Sequence, residues 1–313
     1  MGNVDYDLVI IGGGPAGLTA GLYASRARLN VLLLEKELPG GQMAITDWVE
    51  NYPGFPEGIS GMDLSEKMKE QALKFDLKIE TAQVESFDFL GDVKKILLSG
   101  SDKNEITTHT IIISSGASPR MLGVGDEELK GKGISTCATC DAPFYRDKVV
   151  VAVGGGDTAV QESLFLTKFA KKVYLIHRRD ELRATKILQE RAFENDKLEL
   201  VWDSVVTGFG ADLFKGVEKV FVENVKSGEK QTIEADGCFI WIGIEPTTGF
   251  VGDSIELNDW GFIITDGNME TSVPGVYAVG DVRDTPLRQI TTAVGDGSIA
   301  AIMAEHFVEN LKK

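Results

Sequence analysis

Apolar residues fall into short runs divided by glycine-rich turns, and the run lengths alternate between strand and helix. Asp7 to Ile11 is strand-like and leads into Gly12-Gly13-Gly14-Pro15-Ala16-Gly17. A helical stretch follows from Leu18 to Arg28, then a second strand, Val31-Leu32-Leu33-Leu34, which ends at Glu35. This is a βαβ unit whose first turn spells G-x-G-x-x-G and whose second strand ends on an acid.

The pattern returns 142 positions later. Strand Val149 to Val153 enters Gly154-Gly155-Gly156-Asp157-Thr158-Ala159, a helix runs to about Phe169, and strand Val173 to Ile176 ends at His177. One such turn is a weak signal, but a pair with matched flanking elements marks two dinucleotide-binding units. The first glycine permits the tight turn and the second lets the backbone approach a pyrophosphate. The third lets the helix pack on the strand, and Ala159 is a tolerated replacement there. The pyrophosphate then meets the unpaired N–H groups of a helix N-terminus.

The copies differ where the ribose is read. Glu35 can accept hydrogen bonds from both ribose hydroxyls, which suits FAD or NAD. The second copy has His177-Arg178-Arg179 there, with Arg183 one helical turn further on. Guanidinium forks hold a 2′-phosphate that a carboxylate would repel, so NADPH belongs to the second unit. The bland alternative is a solvated helix start. Against it, residues 168–191 carry eight Lys or Arg and three Asp or Glu in a chain of net charge −16.

Two units of this kind predict an α/β protein with two Rossmann-like domains. The first breaks off at Ser114-Ser115-Gly116-Ala117-Ser118-Pro119, after strand Thr110 to Ile113. The second closes after strand Gly237 to Gly243, near Ile244 to Gly249. The remaining segment has a strand, Gly275 to Val279, then Gly280-Asp281 and a helix from about Ile290 to Asn310. Its apolar positions Ile290, Ala293, Val294, Ile299, Ile302, Met303 and Phe307 read mostly as core.

The acidic charge excludes non-specific nucleic-acid or anionic-membrane binding. No apolar run reaches the roughly 18 residues of a membrane span, and no basic region precedes an apolar signal. A cytoplasmic enzyme is expected. Three cysteines in 313 residues make no disulfide framework.

Two of those cysteines stand close together, as Cys137-Ala138-Thr139-Cys140. A zinc site needs a second ligand pair, and only Cys238 and three scattered histidines remain, so no metal is expected. Cys238 lies in the apolar run Cys238-Phe239-Ile240-Trp241-Ile242 and reads as a core residue. A C-x-x-C pair beside nucleotide folds suits thiol–disulfide exchange, which needs a proton source near neutral pH. Asp141 is the nearest candidate, and a turn or cap aspartate is the equal alternative.

Taken together, the chain resembles the bacterial low-molecular-weight thioredoxin reductases from end to end. The resemblance rests on Gly12 to Gly17, Gly40-Gly41-Gln42, Val49 to Gly54, Cys137 to Asp141, Gly154 to Ala159, His177-Arg178-Arg179, Gly280-Asp281-Val282 and Arg288-Gln289. It implies an FAD domain of residues 1–116 and 247–313 and an inserted NADPH domain of 117–246 carrying the dithiol. Gly12, Gly14, Pro15, Ala16, Gly17, Glu35, Lys36, Gly41, Gln42, Asn51, Gly280, Asp281, Arg288, Gln289 and Ile290 would hold FAD. Gly154, Gly156, Asp157, Thr158, Ala159, His177, Arg178, Arg179 and Arg183 would hold NADPH. Cys140 would face the flavin, Cys137 would complete the disulfide, and Asp141 would protonate the departing thiolate. Departures are small: Gln161 stands where glutamate is frequent, and Ala142-Pro143 where glycine and phenylalanine are.

The implied activity carries electrons from NADPH through FAD and the disulfide to thioredoxin, in a homodimer. Domain rotation about linkers near 115–118 and 244–248 would present the dithiol to each partner in turn. The rivals are another thioredoxin- or glutaredoxin-like partner, an FAD dithiol oxidase and a nucleotide-binding sensor. The intact arginine motif opposes the oxidase, and the dithiol opposes the sensor.

Overall fold

The computed structural model describes residues 4–46, 48–89, 91, 93–101, 103–212 and 216–312, without the side chains of Thr139 and Cys140. The chain forms two units, Met1–Ser118 with Glu245–Lys313, and Pro119–Ile244. The crossings lie at 118–119 and 244–245, beside the expected 116–117 and 246–247.

The first unit opens with β1 (Tyr6–Ile11), α1 (Pro15–Arg26) and β2 (Val31–Glu35). The helix starts earlier than the apolar pattern suggests, because Pro15 is preset for a first-turn position that needs no N–H partner. It stops at Arg26, and Arg28 turns the chain with φ 65°. Two short helices follow, α2 (Gly41–Ala44) and α3 (Gly61–Leu73), the latter capped by Ser60, whose hydroxyl accepts the Asp63 N–H. Then come β3 (Lys78–Thr81), β4 (Gln83–Asp88), β5 (Lys94–Ser99) and β6 (Glu105–Ile113). Strands β3-β2-β1-β6 are parallel, and the β4–β5 hairpin joins β6 antiparallel. The crossing strand β7 (Ala117–Pro119) ends this segment.

The second unit begins with β8 (Ile134–Ser135) and the single turn α4 (Ala138–Asp141). Its βαβ unit is β9 (Val149–Gly154), α5 (Asp157–Leu166) and β10 (Lys172–Ile176). Next are α6 (Lys186–Phe193), β11 (Leu198–Val201) and the strands β12 (Ser204–Asp212), β13 (Gly216–Asn224) and β14 (Lys230–Glu234). β15 (Gly237–Trp241) returns to the parallel sheet, ordered β11-β10-β9-β15-β8, and β16 (Ile244–Pro246) pairs with β7. Both parallel sheets carry a core on each face. Val9 and Ile11 of β1 pack on one side, Leu8 and Ile10 on the other. Val150 and Ala152 of β9 oppose Val151 and Val153 in the same way. That two-sided burial is why these strands read as continuous apolar runs.

The chain ends back in the first unit. β17 (Val276–Ala278) adds in parallel to β6, and α7 (Ile290–Leu311) packs on α1. Here the structure corrects the periodicity in part. The buried face of α7 is Ala293, Asp296, Gly297, Ala300, Ala301, Ala304 and Val308, whereas Ile299 is exposed and Ile290, Val294, Ile302, Met303 and Phe307 are only half-buried. The helices approach so closely that a Cβ on Gly297 would strike the Ala16 carbonyl. Small residues set the helix contact; of the positions expected in the core, Ala293 is buried, Ile290 and Met303 pack against core clusters from its edge, and only Ile299 is exposed.

Candidate active site

In the first unit the turn after β1 depends on glycine. Gly12 has φ 100°, and a Cβ there would press on the Ser114 backbone. A Cβ on Gly17 would collide with the Gly12 carbonyl, so α1 leaves the sheet where only glycine fits. Gly14 faces open space, with nothing within 4 Å of its Cβ position, at the N-cap of α1. That leaves room for an anion to approach the helix N-terminus. Glu35, at the end of β2, accepts the Gly13 N–H at 2.7 Å and the Glu37 N–H at 3.1 Å. Its remaining lone pairs can serve a ribose. Lys36 is exposed beside Glu37 at 3.7 Å.

Distant residues converge on that turn. Gly280 has φ 71°, and its Cβ position lies 3.2 Å from the Ala16 Cβ, so the 3-10 turn Gly280–Val282 abuts the start of α1. Burial, aided by Asp296, raises the pKa of Asp281, while Arg288 lowers it. Arg288 lies 4.0 Å from the Phe262 ring and donates at 3.4 Å to the carbonyls of Asp281 and Arg283. The Asn51 amide donates to Gln289 Oε1 at 2.9 Å, and Gln289 caps α7 in a reciprocal box with Thr292. Ile290 packs with Met43, Val49 and Ile59, while Gly41 and Gln42, both exposed, open α2.

One brace escaped sequence reasoning. Asp296 of α7 accepts a two-pronged contact from Arg283, at 2.7 Å from Nε and 3.1 Å from Nη2, and also the Gly280 N–H at 3.1 Å. Both side chains are largely buried, 15% and 10% exposed. The pair ties the Asp281 turn to α7. Nothing in the local sequence links an arginine and an aspartate on separate elements.

The second unit repeats the turn with different supports. Gly154 has φ 149°, and its Cβ position lies 2.6 Å from the Ala159 Cβ. Gly156 again faces open space at the N-cap of α5. A Cβ on Gly155 would run into the His177 ring, which lies buried beneath the turn at 5% exposure. Burial, with Arg183 next in weight, holds His177 below the ordinary histidine pKa, and its Nε2 has no hydrogen-bond partner among the described residues. Arg178, Arg179 and Arg183 are all exposed. They sit in an irregular loop, not on a helix: α6 starts only at Lys186, and the N–H groups of Arg183 and Ala184 donate to the Gly155 carbonyl at 2.7 and 3.2 Å. The expected helical turn from Arg179 to Arg183 is therefore replaced by a loop folded back onto the glycines. Asp157 helps hold it by accepting the Thr185 N–H at 2.6 Å, and Thr158 is exposed.

The dithiol segment belongs to the second unit. Cys137 is in a disulfide and half-buried, whereas Cys238 is a free thiol buried in β15 and pushed well above its ordinary pKa by that burial. The Ser135 hydroxyl accepts the Cys137 N–H at 3.0 Å and donates to its carbonyl at 3.2 Å. The Trp241 indole donates to the Thr136 carbonyl at 3.1 Å. Asp141 ends α4, half-buried, with its N–H on the Cys137 carbonyl at 3.3 Å. Behind it, burial first and the Asp141 charge second push the Tyr145 hydroxyl up to about 12. Phe144, four residues after Cys140 in sequence, is 73% exposed. Ser135, Tyr145 and Trp241 carried no sequence motif, and their roles emerge only from folding. Among the described residues no cluster of acids, histidines and cysteines could hold a metal, and no helix is long and apolar enough to cross a membrane.

Comparison with known proteins agrees with this arrangement. The family described as pyridine nucleotide-disulphide oxidoreductase matches residues 6–297. The thioredoxin reductase of Peptoclostridium litorale is 45% identical, covering 99% of each chain. That of Bacillus subtilis (strain 168) is 46% identical over 98% of this chain and 96% of its own. The crystal structure of Lactococcus lactis thioredoxin reductase in its FR conformation superposes with a TM-score of 0.94 at 45% identity, covering 98% of this chain and all of that one. Two glycine turns, a disulfide in the second unit and these full-length likenesses lead to one conclusion: the chain belongs to the pyridine nucleotide-disulphide oxidoreductases, and its relatives there are thioredoxin reductases.

Proposed function

We propose that the chain is a thioredoxin reductase that draws electrons from NADPH through FAD into the Cys137–Cys140 pair and spends them on the disulfide of thioredoxin. The observation that carries this is the placement of a disulfide-bonded Cys137 in the unit whose glycine turn is flanked by three exposed arginines. An FAD bound in the first unit supplies the two-electron exchange between nicotinamide and disulfide. Gly12 to Gly17, the Gly280–Val282 turn, Glu35, Asn51, Arg288 and Gln289 would hold it; Gly154 to Ala159 and the three arginines would hold NADPH.

The chain's own residues manage the sulfur chemistry. Breaking the Cys137–Cys140 bond leaves two sulfurs that need protons, and Asp141, next in sequence to Cys140, would supply one to the departing thiolate. A thiolate of the pair then attacks the disulfide of thioredoxin to form a mixed disulfide. The second sulfur resolves it, releasing reduced thioredoxin and restoring the Cys137–Cys140 bond. Phe144, exposed and close in sequence to the pair, would offer that partner an apolar contact. The reading takes the enzyme as a cytoplasmic homodimer, on its likeness to the family.

Replacing Cys140 with serine tests it. The yellow colour and its bleaching by NADPH should persist, while thioredoxin reduction falls by on the order of a thousandfold. Retained turnover with thioredoxin would remove the dithiol from the electron path.

A further inference from the structure

The arginine loop holds a charge problem that the local structure resolves. Asp180 directly follows Arg179, and Asp203 is tied to the same loop, its N–H donating to the Arg179 carbonyl at 3.2 Å. Two carboxylates beside a site for a 2′-phosphate would oppose binding. Both are occupied by one ammonium group: Lys226 Nζ lies 2.9 Å from Asp180 Oδ2 and 2.9 Å from Asp203 Oδ1.

The lysine is delivered by a built turn. It sits in the connection from β13 to β14, where Asn224 Oδ1 accepts the N–H groups of Lys226 and Ser227 at 3.0 and 2.9 Å. The Asn224 carbonyl accepts the Gly228 N–H at 2.8 Å, and the Val225 N–H donates to the Asp203 carbonyl at 2.6 Å. Asp203 has φ 52°, a left-handed conformation that aspartate tolerates better than most residues. Among the described residues, meanwhile, the guanidinium groups of Arg178, Arg179 and Arg183 make no ion pair. The acids are engaged and the arginines are left available.

We infer that Lys226 is a specificity-determining positioning residue for NADPH. By engaging Asp180 and Asp203 it keeps their charge from the 2′-phosphate and leaves the three arginines free to take it. The inference rests on the reading that NADPH uses this loop. A cofactor without the 2′-phosphate gains nothing from the arrangement, so the residue acts on the choice between NADPH and NADH.

Calorimetric binding of adenosine 2′,5′-bisphosphate and of AMP to the flavin-loaded protein separates the possibilities without turnover. K226M should weaken the bisphosphate about three- to tenfold and leave AMP within about twofold, the size expected for unmasking charge at a solvated site. Adding D180N to K226M should recover most of the loss, and K226R should bind like the parent. An unchanged bisphosphate affinity in K226M, an equal loss for both ligands, or no recovery with D180N would each overturn the inference. R178A/R179A is the arm for the underlying reading. If it weakens the bisphosphate while K226M does not, only the role of Lys226 fails; if it has no effect, the cofactor assignment fails with it.

Discussion

The two glycine turns share one plan and differ in what stands beneath them. In each, the residue 23 positions after the first glycine lies under the second residue of the turn. In the first unit it is Glu35, whose carboxylate accepts the Gly13 N–H. In the second it is His177, whose ring fills the space below Gly155. A single position thus braces each turn. Glu35 braces by hydrogen bonding and brings a charge that suits ribose hydroxyls but not a 2′-phosphate. His177 braces by packing, and burial disfavours its charged form. Cation chemistry in the second unit therefore moves to the arginines that follow.

The third motif position offers the sharpest break in the comparison. Gly17→Ala should all but abolish flavin retention, because the added methyl meets the Gly12 carbonyl and the helix must shift to relieve it. Ala159→Gly should cost only about 0.5–1 kcal/mol in the second unit, where a methyl is already accommodated. Flavin absorbance after gel filtration and urea unfolding measure the two. Full flavin occupancy in Gly17→Ala would show that α1 is not held as tightly as described.

A second difference is the buried brace, for which the turn of the second unit shows no counterpart among the described residues. Asp296→Ala should lower the stability of the flavin-free protein by about 3 kcal/mol, the usual cost of stranding one member of a buried pair. It should also speed flavin release. Arg283→Met with Asp296→Leu, which leaves no stranded charge, should recover much of the stability but not the retention of flavin. If the double variant keeps its flavin, the pair serves the fold alone.

A smaller effect has a sign fixed by Asp281. Its pKa is raised, chiefly by burial, so the folded protein holds this proton more tightly than the unfolded chain does. That contribution is complete below the ordinary carboxylate range and is lost as pH rises through the folded-state value. Asp281→Asn in the flavin-free protein should therefore match the parent at acid pH and melt higher above that window. A melting difference that does not change with pH would contradict the shift.

Much of this was legible in the sequence. The paired turns were, because each needs glycine within a few residues and the flanking strands are apolar on both faces. The exposed arginines were legible as a local reversal of charge. The Arg283–Asp296 brace and the Lys226 bridge were not, since each joins residues from separate elements that only folding brings together. The buried stripe of α7 was read only in part, through Ala293, for a different reason: close helix contact selects glycine and alanine, which periodicity in large side chains passes over. Arg183 was placed on a helix that does not form there, because Gly155 supplies the carbonyl that draws the loop back.

Anaerobic titration of the flavin-loaded protein with NADPH, followed by oxidised thioredoxin, tests the central claim most directly. Each chain should take up about two equivalents, one for the flavin and one for the disulfide, against about one in Cys137→Ser/Cys140→Ser. Thioredoxin should then reoxidise the parent alone. Equal uptake by both proteins, or reoxidation of the variant by thioredoxin, would contradict a path through the dithiol.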